Sequence, residues 1–69
     1  MADVLAPNFG TLAIQHVDEG AEVEKGEDLG EIEAMKTYTR FYAPCAGRVT
    51  WLVELGEVVG EGDAVAEVK

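Results

Sequence analysis

Residues 6–10 read Ala-Pro-Asn-Phe-Gly, and residues 43–47 return to the same pattern as Ala-Pro-Cys-Ala-Gly. Further matches follow in the same order in both copies: Leu12 with Val49, Ile14 with Trp51, Val17 with Val53, Gly20 with Gly56, Val23 with Val59, Gly26 with Gly62, Leu29 with Val65, Glu31 with Glu67 and Ile32 with Val68. The sequence separation of the pairs is 37 early in the repeat and 36 later. An ordered series of this kind predicts two copies of one structural unit, related by an approximate twofold axis.

The local patterns within both copies predict β-strands. Period-two alternation with β-branched and aromatic residues marks five strands, at residues 10–17, 29–34, 37–42, 47–53 and 64–69. Glycine-containing turn sequences separate them, and no window has the periodicity of an amphipathic helix. Short strands with frequent turns are typical of a sandwich or flattened barrel. Pro7 and Pro44 are expected at strand ends or edges, because proline cannot donate to a ladder.

The size and charge of the chain narrow its possible functions. Its 69 residues correspond to a single domain, residues 1–69, with little room for a complete catalytic apparatus beside the core. The formal net charge is −9, which makes nucleic acids and anionic membrane surfaces poor partners. Cys45 is the only cysteine, so an intramolecular disulfide or a cysteine-based zinc cluster is excluded. A carrier or binding role is favoured.

Two further features of the sequence predict an intracellular location. No apolar run approaches the length of a membrane span, and the first residues lack the basic and apolar regions of a signal peptide. We therefore expect a cytoplasmic protein, or one of the mitochondrial matrix if the source is eukaryotic.

The segment Ala34-Met35-Lys36-Thr37 joins the two copies. Its symmetry mate is the break in the chain between Lys69 and Met1. The Lys36 turn is therefore expected at one end of the domain and both termini at the other. Met35 is a large apolar residue at a turn where packing does not require one, which indicates a role outside the core.

The sequence as a whole resembles the biotinyl/lipoyl carrier domains. Within it, Ala34-Met35-Lys36 is similar to the biotin-attachment signature of biotin carboxyl carrier proteins. The likeness extends over nearly the whole chain and includes Leu5-Ala6-Pro7, Glu19-Gly20, Lys25-Gly26, Glu33, Ala43-Pro44, Gly47-Arg48-Val49, Gly56-Glu57-Val58-Val59 and Gly62-Asp63. The resemblance implies a flattened all-β barrel, a barrel-sandwich hybrid of two four-stranded antiparallel sheets with pseudo-twofold symmetry. That fold agrees with the repeat found from the residues alone.

The resemblance also implies a function and its partners. A biotin protein ligase would attach biotin covalently to Lys36, with Glu33, Ala34 and Met35 recognised by the ligase. This post-translational modification would make the domain a swinging arm, which carries carboxylate from a biotin carboxylase to a carboxyltransferase or decarboxylase. The domain itself would be non-catalytic and would bind no metal. Thr37 departs from the family pattern, because biotin carriers usually have Met or Leu after the lysine.

Two alternatives remain at the level of the sequence. A lipoyl carrier of a 2-oxo acid dehydrogenase or of a glycine-cleavage system has the same fold. Most lipoyl domains have Asp where Met35 stands, although the lipoylated glycine-cleavage carrier has an apolar residue there. An unmodified structural adaptor of this fold usually carries a helical hairpin at the Lys36 turn, and here Ala34 leads directly through the turn to Thr37.

Several other residues receive structural interpretations. Cys45 is interpreted as a small filler and His16 as a surface histidine, since no histidine or cysteine is near it in sequence. Trp51 is expected in the core because it aligns with Ile14. On the strand after the lysine, one of the alternating sets should face the core, and Tyr38 or Arg40 on the other set could contact the ligase.

Overall fold

The computed structural model describes residues 2–69 and contains two four-stranded antiparallel sheets. The eight strands are β1 (Ala2–Leu5), β2 (Gly10–Gln15), β3 (Glu22–Val23), β4 (Asp28–Ala34), β5 (Thr37–Tyr42), β6 (Gly47–Trp51), β7 (Val58–Val59) and β8 (Ala64–Val68). The strand orders are β1-β8-β6-β3 and β5-β4-β2-β7. Among residues 2–69 no helix is long and apolar enough to cross a membrane. The predicted all-β class and the two four-stranded sheets are confirmed.

The two sheets are related by the internal repeat. Moving each strand four places along the chain, from β1 to β5 and so on, converts one strand order into the other. The loop hydrogen bonds follow the same rule. The Gly20 amide donates to the Val49 carbonyl at 2.8 Å, and the Gly56 amide donates to the Leu12 carbonyl at 2.8 Å. The repeated sequence therefore reflects a repeated structure.

The structure corrects the predicted alignment of Trp51 with Ile14. A β-bulge interrupts the β2–β4 ladder between Leu12 and Ile14, and this is where the separation of the repeats falls from 37 to 36. Gln15 pairs with Gly30 in one sheet, and Trp51 pairs with Ala66 in the other, so Gln15 is the structural mate of Trp51. The extra residue of a bulge shifts every later match by one.

The core lies between the sheets and is built from matched positions of both repeats. Its members are Val4, Ala6, Leu12, Val23, Leu29, Ile32, Phe41, Ala43, Val49, Val59, Val65, Ala66 and Val68, and each is at most 4% exposed. Trp51 is only partly buried, with its ring edge-on to Phe41 at a centroid distance of 6.1 Å. Burial of a single Val, Leu, Ile or Phe side chain stabilises a fold by roughly 1.5–3 kcal/mol.

The repeated glycines at positions 10 and 47 are explained by close backbone approach. A Cβ on Gly10 would collide with the Glu33 carbonyl oxygen, and one on Gly47 would lie 2.6 Å from the Lys69 carbonyl oxygen. Both prolines lie outside the strands, as predicted, because Pro7 precedes β2 and Pro44 precedes β6.

Chain connectivity places the Lys36 turn and the termini at opposite ends. Ala2 pairs with Val68, so β1 starts beside the end of β8. From there β1 runs along its sheet, and a four-residue link, residues 6–9, leads to Gly10. The next residue, Thr11, pairs with Glu33, which lies at the base of the Lys36 turn. The far end of β1 is therefore the end where the lysine is found.

Candidate cofactor-attachment site

Met35 and Lys36 form the two-residue connection between β4 and β5. Ala34 pairs with Thr37, and the two residues between them have φ values of 50° and 66°. Positive φ at both central residues is the geometry of a type I′ hairpin turn, which follows the twist of the strands. Such turns usually contain Asn and Gly, since L-residues in this region are strained by roughly 1–2 kcal/mol. The turn thus holds two long side chains in a backbone conformation that neither of them favours.

Both side chains of the turn extend into solvent. Met35 is 95% exposed, and Lys36 belongs to the exposed class. Within the part of the chain that the structure describes, the Lys36 ammonium forms no ion pair with a carboxylate. An amine in this position is open to approach by an enzyme, and a covalent group of any size attached to it would not meet the core.

Glu33 supports the turn from below. Its Oε2 atom accepts a hydrogen bond of 2.7 Å from the backbone N–H of Lys36. The sequence predicts Glu33 only as a contact of the ligase, so this hydrogen bond is an additional role for the residue. A carboxylate three residues before a strained amide is the signal that could have indicated it. The bond satisfies a backbone donor at the tip and restricts the orientation of the lysine.

The strand after the lysine has one buried and one exposed face, as predicted. Phe41 is buried, whereas Tyr38, Arg40 and Tyr42 point outwards. The Arg40 Nε atom lies 3.6 Å from Asp28 Oδ2. Arg40 is therefore held against the neighbouring strand, while Tyr38, two residues after the lysine, is 54% exposed.

His16 and Cys45 take the positions expected of structural residues. His16 is exposed, and its Nε2 atom lies 2.8 Å from Glu31 Oε2. Cys45 is a free thiol that packs against the core while remaining partly accessible. No group of three or more His, Cys, Asp or Glu side chains within residues 2–69 is arranged to hold a metal ion.

Solved structures of carboxylases share this fold. The Kluyveromyces lactis urea carboxylase is 30% identical, with a TM-score of 0.88, over 99% of this chain and 6% of that one. A single-chain, multi-domain long-chain acyl-CoA carboxylase is 37% identical, with a TM-score of 0.81, over 93% of this chain and 6% of that one. In both cases the chain is similar to one small part of a much larger protein.

A curated relative comes from a different system. The glycine cleavage system H protein of Synechococcus sp. (strain JA-3-3Ab) is 47% identical over 32 residues, which are 46% of this chain and 25% of that protein. This relative resembles about half of the chain, whereas the carboxylases resemble nearly all of it.

A two-sheet β domain with an exposed lysine at a strained hairpin tip has the form of a cofactor carrier. The protein-family model described as "Biotin-requiring enzyme" matches residues 2–68. The chain belongs to this biotin/lipoyl family and is a carrier domain.

Proposed function

We propose that the chain is the biotin carrier domain of a biotin-dependent carboxylase or decarboxylase, with Lys36 as the residue that receives biotin. The observation that carries the proposal is the hairpin tip, where Lys36 follows a Met35 that is 95% exposed. A long apolar side chain in a strained turn does not serve the fold. The presence of Met35 is explained if a ligase recognises it together with Lys36.

The residues of the tip fit an attachment reaction. Lys36 must present a neutral amine, because only the deprotonated form attacks the carboxyl carbon of the biotinyl adenylate, which forms an amide and releases AMP. Its exposure lets the ligase surround the side chain and accept the proton. Glu33 and the β4–β5 ladder keep the backbone in one position during the reaction.

Attached biotin would carry carboxylate on a ureido nitrogen between the active sites of the partner enzymes. The chain contributes a rigid support and a long side chain, which raise the effective concentration of the reactive group at each partner. The partners proposed are a biotin protein ligase, a biotin carboxylase, and a carboxyltransferase or decarboxylase. The two similar carboxylases support the carboxylase partners, and the ligase follows from the proposed attachment.

The test is an attachment reaction followed by intact-mass spectrometry. Wild-type protein and the Lys36→Arg variant are each incubated with a biotin protein ligase, biotin and ATP. We expect one biotinyl increment on the wild type and none on the variant. Arginine matches the charge and length of lysine at an exposed position, so the melting temperature should be unchanged. Modification of the variant would disprove the assignment of Lys36.

A lipoyl carrier is the second candidate, and the similarity to the glycine cleavage system H protein favours it. A parallel reaction with a lipoate ligase, lipoate and ATP separates the two functions. Lipoylation without biotinylation would replace the first candidate by the second. Met35→Asp, which introduces the residue typical of lipoyl domains, is expected to lower the rate of biotinylation and raise that of lipoylation.

A further inference from the structure

An open groove runs along one side of the domain, away from the Lys36 hairpin. It has a volume of about 500 Å³ and is lined by Gln15, Asp18 and Glu19 on one side and by residues 51–55 on the other. We name it the lateral groove. No residue of β4, β5 or the turn between them lines it. A molecule bound here would leave the Lys36 tip free.

The two sides of the lateral groove are structural mates with different chemistry. The amide of His16 donates to the Leu29 carbonyl, and the amide of Leu52 donates to the Val65 carbonyl, each at 2.9 Å. Yet Leu52 and Leu55 are 47% and 57% exposed, whereas their mates in the first repeat are His16 and Glu19. The fold therefore accepts polar residues at these two places, and the exposed leucines are not required for folding.

Acidic residues border the apolar surface. Asp18, Glu19 and Glu54 all line the groove, and none of its lining residues is basic. Glu19 also accepts a hydrogen bond of 2.8 Å from the Trp51 amide, and the Trp51 indole donates to the Val17 carbonyl at 3.1 Å. These two bonds connect the two segments. The net charge of −9 adds to the negative electrostatic potential of the groove, which attracts a basic partner.

We infer that the lateral groove is the docking site through which a biotin carboxylase holds this domain, by an apolar side chain surrounded by basic residues. This inference rests on the proposed function and adds a contact surface separate from the attachment lysine. Apolar centres with charged rims are typical of protein interfaces, and complementary charge speeds association. A second copy of the chain fits poorly, because two acidic rims would face each other.

The substitutions for the test are taken from the first repeat, which shows which residues the same backbone accepts. In the Leu52→His/Leu55→Glu double variant, each leucine is replaced by the residue that its mate already carries in the same backbone. Leu5→Thr serves as the matched control, since Leu5 is 52% exposed and lies on β1, outside the groove. Each protein is biotinylated, and biotinylation at Lys36 is expected to be equal in all three.

Each biotinylated protein is then assayed as a substrate of the biotin carboxylase domain of the urea carboxylase. For the double variant we expect a KM at least tenfold above that of the wild type, with kcat unchanged. Leu5→Thr should behave as the wild type. Asp18→Asn/Glu54→Gln should raise KM less, and its KM should depend less on salt concentration.

The remaining outcomes would overturn the inference. An unchanged KM for the double variant would remove the docking site and leave biotin attachment intact. Self-association of the wild type in sedimentation experiments, lost in the double variant, would identify a second copy as the occupant. Failure of the wild type to become biotinylated would instead remove the proposed function on which the inference rests.

Discussion

The repeat formed by β1–β4 and the repeat formed by β5–β8 have similar residues at buried positions and different residues at exposed positions. Leu12 and Val49 occupy equivalent buried positions, and so do Leu29 and Val65. On the surface, the arginine at position 40 faces Glu31, whereas its mate Asp3 faces Glu67. Residues that pack the core are therefore matched in both repeats, whereas equivalent surface positions carry different residues.

The same comparison applies to the two ends of the domain. At one end β4 and β5 are joined through Met35 and Lys36, and at the other end the equivalent strands β8 and β1 are not joined at all. Ala2 still pairs with Val68 there, so the ladder forms without a turn. Pairing of these strands therefore does not depend on a two-residue turn such as the one that joins β4 and β5.

The largest effect is expected in the shared core. Leu12→Ala should lower the free energy of unfolding by about 2–5 kcal/mol, through lost burial and the cavity left behind. Its mate Val49→Ala removes two methyl groups and should lower it by about 1.6 kcal/mol or more. Urea unfolding followed by Trp51 fluorescence measures both changes. Leu5→Ala, at an exposed position, is the control, and a change under about 0.5 kcal/mol for either core variant would show that the repeats do not share one core.

A smaller effect of opposite sign is expected at the turn. Met35→Asn places a residue that tolerates positive φ in a position where Met is strained, so stability should rise by up to about 1 kcal/mol. The rate of biotinylation should fall in the same variant. Met35→Leu keeps both the strain and the apolar side chain, and it should leave stability unchanged. Equal biotinylation of Met35→Asn and wild type would mean that the ligase does not read position 35.

Loss of the Glu33 carboxylate is expected to loosen the tip alone. Glu33→Ala removes the hydrogen bond to the Lys36 amide and should lower stability by about 0.5–1.5 kcal/mol. Exchange of the Lys36 amide hydrogen, followed by NMR, should become faster, while amides in β8 keep their protection. Glu33→Gln retains an acceptor oxygen and should recover most of the difference. Uniformly faster exchange in both sheets would contradict a local role.

The smallest effect is expected for the ion pairs on the outer surface. Arg40 is 62% exposed at its side chain, and its Nε atom lies 3.6 Å from Asp28 Oδ2. Exposed pairs of this kind contribute about 0.2–1 kcal/mol, so Arg40→Ala should be only slightly less stable than the wild type. The difference should shrink further at about 1 M salt, where charges are strongly screened. A loss that persists in salt would indicate that the packing of the arginine stem matters instead.

Much of the fold could be predicted because the alternating strand patterns occur in both repeats of the sequence. Alternation identified β2, β4, β5, β6 and β8, and the structure confirms each of them with ends shifted by at most two residues. The strands β3 and β7 contain two residues each, which is too short for an alternating pattern to be visible. The first strand, β1, was not assigned, because its four residues begin with Ala2 and Asp3 and show little alternation.

The hairpin turn was predicted in its position, but its internal contacts were not. The midpoint of the repeat and the exposed Met35 indicated the Lys36 turn. The bond from the Lys36 amide to Glu33 depends on the exact turn geometry, which a residue pattern does not contain. The misalignment of Trp51 with Ile14 has a similar cause, since the bulge between Leu12 and Ile14 is a single extra residue. The change in separation from 37 to 36 was the visible trace of that bulge.

The most direct test of the central claim is to map the modified lysine. The chain has three lysines, Lys25, Lys36 and Lys69, and Lys69 is the structural mate of Glu33 at the far end of the domain. After reaction with a biotin protein ligase, peptides of the wild type are sequenced by tandem mass spectrometry. The proposal predicts biotin on Lys36 alone. Biotin on Lys25 or Lys69 at a comparable level would contradict the claim that one end of this doubled fold is specialised for attachment.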